Sequence, residues 1–116
     1  MKLLNKTNNT VLAERLRIAN SFFSRLKGLL GTSSLPVGEA LLIRPCNSIH
    51  MFGMRYSIDV IFADDTGQVL KIVASLAPGR LAKCHDARQV IELPCGALHA
   101  SNTKLGDILE IVQELS

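Results

Sequence analysis

A chain of 116 residues has the length of one domain, and its apolar fraction of 47% allows a hydrophobic core without metal ions or disulfides. There is no tryptophan and only one tyrosine, which argues against an aromatic platform for sugars or single-stranded nucleic acid, because such platforms need exposed rings. The 13 basic and 10 acidic residues leave a net charge of +3, too small an excess to indicate nucleic-acid binding.

The N-terminal third of the chain predicts one strand and one helix. Residues 1–9 are polar, and we expect a flexible N-terminus or a short edge strand there, before a single domain that covers residues 10–116. Alternating apolar residues predict a half-buried strand over residues 10–19. Residues 22–30 then carry apolar side chains at helical spacing. These side chains are Phe22, Phe23, Leu26, Leu29 and Leu30.

The rest of the chain consists of short apolar runs separated by turn residues, as in mainly β proteins. Predicted strands cover residues 40–43, 58–63, 69–74, 88–93 and 108–112. Asp-Asp-Thr-Gly at residues 64–67 predicts a hairpin turn. Residues 75–87 are predicted as a long loop, and residues 97–102 as one helical turn.

A mainly β domain must protect the edges of its sheets, because unpaired edges promote aggregation. The sequence therefore predicts a small antiparallel β-barrel or barrel-like sandwich, with one amphipathic helix near the N-terminus.

Residues 44–62 carry chemically versatile side chains within an otherwise apolar stretch. A polar group in such a stretch must find a partner or cost roughly 1–3 kcal/mol, so each one is either hydrogen-bonded or functional. We interpret this stretch, together with Arg80 from the long loop, as a candidate pocket for a small polar ligand or a peptide. The candidate ligand-binding residues are Cys46, His50, Met54, Arg55, Asp59 and Arg80.

Asp59 interrupts the most apolar of the predicted strands. By strand alternation its side chain lies on the face opposite to Ile58 and Val60. We expect the carboxylate to be buried and hydrogen-bonded to backbone amides or an arginine, on the same side of the domain as His50 and Met54. A structural role, joining a loop to the strand, and a role as a functional acid both remain open.

Three cysteines and three histidines suggest two further interpretations. They form the pairs Cys46 and His50, Cys84 and His85, and Cys95 and His99. Zinc sites use such ligands, but no C-x₂-C motif is present and adjacent residues rarely converge on one ion, so we predict no metal and no cofactor. Alternatively, a small hydrolase or transferase would use Cys46 and His50, with Asp59 orienting the imidazole.

The sequence predicts a cytoplasmic location. The N-terminus lacks the apolar stretch of a signal peptide, and no stretch reaches the roughly 18 consecutive apolar residues of a membrane span. An odd number of cysteines without a C-x-x-C motif fits a reducing compartment better than a disulfide scaffold.

Five short motifs follow one another along residues 12–112, in the order RLKGLLG, ALLIRPCNSIHMFGMRYSIDVIFADDTGQVL, APGR, VIELPCGAL and KLGDIL. This order resembles the DUF192 (UPF0127) family of small bacterial and archaeal proteins. The resemblance implies a compact β-rich domain without a characterised activity. It also implies structural motif positions at Gly28, Glu92, Pro94, Gly96, Gly106 and Asp107.

These observations favour a non-catalytic binding or accessory protein over an enzyme. Its partner would be a small polar ligand or a peptide, not a nucleic acid or a membrane. The alternative is the hydrolase or transferase with the Cys/His pair. The sequence does not indicate the identity of the ligand or the oligomeric state.

Overall fold

The computed structural model describes residues 1–20, 29 and 31–113, and this part of the chain is mainly β, as predicted. The strands are β1 (Lys2–Asn5), β2 (Thr10–Ala13), β3 (Arg15–Ala19), β4 (Glu39–Ile43), β5 (Ser48–His50), β6 (Ile58–Ala63), β7 (Val69–Leu76), β8 (Leu81–Lys83), β9 (Gln89–Pro94) and β10 (Leu109–Val112). One short helix, α1, spans Ala97–Ser101.

The strands form three sheets. A central sheet has the order β3-β4-β9-β6-β7, a second sheet has the order β10-β1-β2, and β5 pairs with β8 in a ribbon. Every pairing within these sheets is antiparallel except that of β3 with β4. Parallel neighbours need a crossover connection, and residues 20–38 make the connection between these two strands.

The predicted closed barrel is wrong, because each described sheet keeps two open edges. The parallel pairing leaves β3 at one edge of the central sheet, and β7 lies at the other edge. Two local contacts join the central and second sheets. The amide of Leu16 donates to the carbonyl of Met1 at 2.8 Å, and Gln68 forms an isolated bridge with Ile108.

The central sheet is buried on both faces. One face presents Leu42, Ile61 and Ile91, and Leu3 and Leu12 of the second sheet cover it. We call this the strand-covered face. Strands that are buried on both sides read as continuous apolar runs. All six residues of β6 are accordingly buried.

The opposite face of the central sheet presents Leu41, Val60 and Val90. Leu29 and Leu35, which belong to the connection between β3 and β4, are part of the same buried cluster. We therefore call it the crossover face. The helix predicted over residues 22–30 lies outside the described residues except for Leu29, as does Gly28.

Residues 1–9 contain a short strand, which was one of the two structures expected there, but this strand does not lie at an edge. Strand β1 is the middle strand of the second sheet, and Leu3 and Asn5 are almost completely buried. The Asn5 side-chain amide donates to Thr103 Oγ1 at 3.2 Å and to Asp107 Oδ2 at 2.9 Å. The polar turn after β1 obscures this short strand in the sequence.

Three other sequence predictions can be compared with the structure. The single strand predicted over residues 10–19 divides at Glu14 into β2 and β3. The turn at residues 64–67 is present, and the Asp64 carboxylate accepts hydrogen bonds from the amides of Thr66 and Gln68. The predicted loop over residues 75–87 contains the end of β7 and all of β8.

In the described ranges no helix has the length and apolar character needed to cross a membrane.

Gly67 ends this turn with a φ of +92°, and a Cβ built there would collide with the Leu109 carbonyl oxygen of β10. We expect Gly67→Ala to lower the free energy of unfolding by roughly 3–5 kcal/mol, combining left-handed strain with overpacking. Gly79 has a φ of +81° and open space around it, so Gly79→Ala should cost only about 1–2 kcal/mol. Urea denaturation of both variants checks this, and equal losses would contradict the close approach at Gly67.

Candidate functional site

The ribbon of β5 and β8 contains one of the predicted pocket residues, His50, and a second, Arg80, immediately precedes β8. His50 pairs with Leu81 in the ribbon, and its ring lies 5.1 Å from that of Phe52. Both His50 and Leu81 are exposed, and so are Arg55 and Arg80. Met51, which follows His50, is fully buried in the crossover-face cluster. The ribbon therefore packs through one side and displays the other.

Cys46 and His50 do not form the hydrogen-bonded pair that a nucleophilic mechanism needs. The Cys46 sulfur donates to the Ser48 carbonyl at 3.0 Å, whereas the His50 ring contacts Phe52. Within the described residues no hydrogen bond joins the thiol to the imidazole. No disulfide joins the three cysteines, all of which lie in the described part of the chain.

Asp59 is buried, as expected, and lies on the strand-covered face. Its carboxylate accepts three backbone hydrogen bonds, from Ser75 at 2.9 Å, Gly96 at 3.1 Å and Leu98 at 3.0 Å. These bonds join β6 to the end of β7 and to the start of α1. The expected grouping with Met54 is wrong, because Met54 packs against the crossover face on the other side of the sheet.

Glu92 is a second carboxyl group in an apolar strand, and the sequence predicted only a structural motif position for it. It is only 3% exposed, and it pairs with Leu41 of β4 and Val60 of β6. Residues paired across a sheet share a face, so its side chain lies on the crossover face. Burial raises the pKa of Glu92 from its ordinary value of 4.5 to about 7.

The surroundings of Glu92 supply little compensation for this burial. No hydrogen bond from another described residue reaches its carboxyl group, and its neighbours Leu41 and Val60 are apolar. Two hydroxyl groups are associated with the same face, where Thr32 Oγ1 lies 2.8 Å from the Tyr56 hydroxyl. Thr32 also donates to the carbonyl of Leu29, which is part of the crossover-face cluster.

A carboxyl group with a pKa near 7 exists as an acid and as a carboxylate in comparable amounts under neutral conditions. The acid both donates and accepts hydrogen bonds, and the carboxylate attracts a cation. The described residues contain no cluster of three or more His, Cys, Asp and Glu side chains able to hold a metal ion. Glu92 can therefore hydrogen-bond as an acid or form an ion pair as a carboxylate.

Three other motif residues, Gly96, Gly106 and Asp107, make hydrogen bonds that join segments of the fold. Gly96 adopts a φ of +97° and donates to Asp59, while Gly106 adopts a φ of +87° and donates to the carbonyl of Val69. Asp107 accepts hydrogen bonds from Asn5 and from the amide of Lys104. Glu92 differs from this group because its side chain has no such bonds.

The chain is similar in sequence to proteins of an uncharacterised family. The model of the DUF192 family, described as "Uncharacterized ACR", matches residues 3–111. A UPF0127 protein of Thermococcus sibiricus is 33% identical over 112 residues, which cover 93% of this chain and 73% of that protein. A UPF0127 protein of Pyrococcus horikoshii is 35% identical, over 90% of this chain and 94% of that protein.

Two crystal structures have a similar fold. A protein of unknown function from Novosphingobium aromaticivorans superposes with a TM-score of 0.80 at 20% identity, covering 95% of this chain and 82% of that one. A putative transcription regulator from Sinorhizobium meliloti also gives a TM-score of 0.80, at 17% identity, covering 94% of this chain and 89% of that one. At these identities the similarity establishes the fold alone.

The three hydrogen bonds to Asp59 predict a large effect of its removal. Asp59→Ala would remove the partner of three amides, of which that of Leu98 is fully buried, and we expect a loss of about 3 kcal/mol in the free energy of unfolding. Asp59→Asn keeps one acceptor oxygen and should recover part of this loss. Asp65→Asn, at an exposed turn position, serves as the control. Urea denaturation that shows no loss for Asp59→Ala would contradict the structural role.

Burial of Glu92 predicts that stability falls as pH rises. Its raised pKa means that the folded state binds more protons than the unfolded state between pH 4.5 and about 7. This contribution is fully present below pH 4.5 and is lost as pH rises through 7. From pH 4 to pH 8, wild type should lose about 3 kcal/mol relative to the Glu92→Gln variant, because each pKa unit corresponds to about 1.4 kcal/mol.

Urea denaturation of both proteins across this pH range measures the difference directly. Glu110→Gln, at an exposed position on β10, is the control and should follow the wild-type profile. Parallel pH profiles for wild type and Glu92→Gln would show that Glu92 is not titrating in a buried environment.

Proposed function

This chain belongs to the DUF192 family, and we propose that it is a non-catalytic binding protein that holds a small polar ligand against Glu92. The observation that carries the proposal is a buried carboxyl group without a described hydrogen-bond partner. Such a group destabilises the folded protein at neutral pH, and groups with perturbed pKa values concentrate at functional sites. A glutamine would occupy nearly the same volume without the penalty of a buried charge, which supports a role that needs the acid.

The environment of Glu92 indicates which ligands would fit. Leu41 and Val60 flank the carboxyl group, so a ligand needs an apolar body as well as a polar group. A protonated amine or amidine would pair with the carboxylate and release the Glu92 proton on binding. A neutral amide would pair with the protonated acid and leave the proton in place. Proton release therefore distinguishes these two ligand classes.

Two of the residues predicted from sequence accord with this site. Cys46 and Met54 are half-buried and pack against the crossover face, so we include them in the proposed lining. His50, Arg55 and Arg80 are exposed, and in our proposal they would contact only a ligand that extends along the ribbon. Asp59 is left out because its carboxylate lies on the opposite face of the central sheet, where it accepts three backbone hydrogen bonds.

The binding proposal is favoured over the hydrolase or transferase by the geometry of the thiol. The Cys46 sulfur donates to a backbone carbonyl, and the His50 imidazole lies against a phenyl ring. Activation of a thiol needs an adjacent base or another source of positive charge. The base that the alternative assigns to this step, His50, packs its ring against Phe52.

A library of small amines, amidines and amides tests the proposal, with the shift in melting temperature as the first readout. An amine or amidine that binds wild type should bind the Glu92→Gln variant roughly 10- to 100-fold more weakly, because a charge-assisted hydrogen bond is lost. The exposed Glu110→Gln variant should keep wild-type affinity. Calorimetry in two buffers of different ionisation enthalpy then measures proton release. Equal affinity for wild type and Glu92→Gln, or no ligand at millimolar concentration, would contradict the proposal.

A further inference from the structure

The ribbon of β5 and β8 ends in two β-turns, residues 51–54 and 77–80, which lie side by side. Each turn is closed by a hydrogen bond from its last amide to its first carbonyl, at 3.2 Å and 3.1 Å respectively. The Met51 carbonyl also accepts a hydrogen bond from the Gly79 amide at 2.9 Å, which joins the two turns. A Cβ built on Gly79 would meet open space. We call this exposed pair of turns the ribbon tip.

Apolar side chains are exposed at the ribbon tip. Phe52 is 56% exposed at the corner of the first turn, and Leu81, directly after the second turn, is 62% exposed. His50 pairs with Leu81 across the ribbon, and its ring centroid lies 5.1 Å from that of Phe52, so the three side chains form one continuous surface. Contiguous apolar surface of this kind is typical of sites that contact a protein or a membrane.

The segments that form the ribbon and its surroundings carry only positive charge. Residues 40–58 and 66–85 contain five basic residues and no acidic one, whereas the rest of the chain contains eight basic and all ten acidic residues. The five are Arg44, Arg55, Lys71, Arg80 and Lys83. No ion pair within the described part of the chain involves any of them. The ribbon therefore attracts an anionic partner.

Two of these cations lie beside the exposed apolar side chains. Arg80 is exposed as the last residue of the second turn. Lys83 is two residues after Leu81 in β8, and strand alternation places both side chains on the outer side of the ribbon, while Ala82 between them is buried. The outer side of the ribbon thus combines an apolar surface with adjacent positive charge.

This combination fits the surface of an anionic phospholipid bilayer better than it fits a soluble polyanion. A nucleic acid would pair with the cations, but the aliphatic Leu81 offers its bases no ring to stack on. An acidic protein would need a hollow shaped to receive the two turns. Lipid headgroups pair with basic side chains while apolar side chains enter the boundary with the acyl chains. The amides that close and join the two turns already have partners, which suits a region with little water.

We propose that the ribbon tip binds the surface of an anionic phospholipid membrane. Phe52 and Leu81 enter the boundary between the headgroups and the acyl chains. Arg80 and Lys83 pair with lipid phosphate groups. The expectation of no membrane partner came from the lack of a stretch long enough to span a bilayer, which does not bear on surface binding. The proposal does not depend on ligand binding at Glu92, because that side chain is buried in the central sheet.

Vesicle sedimentation of the full chain tests the proposal. Binding to vesicles of phosphatidylcholine mixed with phosphatidylglycerol should be several-fold stronger than binding to phosphatidylcholine alone, and added salt should weaken it. The double variant Arg80→Gln with Leu81→Ser should partition roughly 10- to 50-fold more weakly, because it loses one charge and one inserted apolar side chain.

The chain offers a closely matched control for this double variant. Leu105 is 63% exposed, follows a basic residue as Leu81 does, and lies outside the ribbon. Lys104→Gln with Leu105→Ser should therefore bind the anionic vesicles as wild type does. Glu92→Gln should also bind them as wild type does, so failure of the membrane proposal and failure of the ligand proposal are distinguishable.

A single tryptophan reports insertion directly, because the chain contains none of its own. The emission of Phe52→Trp should shift to shorter wavelength on addition of phosphatidylglycerol vesicles, since the indole leaves water for a less polar environment. The emission of Leu105→Trp should not shift with the same vesicles. Circular dichroism of each variant establishes that it is folded.

Three outcomes would overturn the proposal. The first is no binding of wild type at millimolar lipid, or equal binding by wild type and the Arg80→Gln with Leu81→Ser variant. The second is binding of polyuridylate RNA through these residues without a shift in the emission of Phe52→Trp on vesicles, which would indicate a nucleic-acid partner. The third is a concentration-dependent dimer in sedimentation velocity that Leu81→Ser dissociates, which would show that a second copy of the chain covers the ribbon tip.

Discussion

Burial of the central sheet on both faces is the constraint on which the rest of the structure depends. The middle strands of this sheet are almost completely buried, so a polar side chain there depends on hydrogen-bond partners within the protein. Asp59 and Glu92 lie in neighbouring strands, and Glu92 pairs with Val60, the residue after Asp59. Strand alternation sends the two carboxyl groups to opposite faces, where their environments differ completely.

Asp59 organises one end of the fold. Its three amide donors belong to the end of β7 and to the start of α1, so a single carboxylate fixes both segments against β6. Glu92 has no comparable contacts among the described residues, and this difference separates a structural acid from a candidate functional one.

The sequence predicted local structure better than it predicted sheet arrangement. Periodicity and turn residues located β4, β6, β9 and β10 closely, because these strands are strongly apolar or bounded by Pro, Gly and Asp. They did not reveal β1 as a middle strand or the parallel pairing of β3 and β4, since both depend on partners distant in sequence. The closed barrel was a general inference from edge protection, and it failed for the same reason.

The site was only partly predictable. Asp59 and Glu92 give the same signal in the sequence, a single carboxylate within an apolar strand. The donors to Asp59 are 16 to 39 residues away along the chain, so no local pattern distinguishes the acid with three amide donors from the acid without a described donor. Titration of the Glu92 side-chain carboxyl carbon by ¹³C NMR, assigned with the Glu92→Gln variant, is the most direct test. A midpoint near pH 7 supports a carboxyl group whose pKa is raised by burial, whereas a midpoint near the ordinary 4.5 would contradict it.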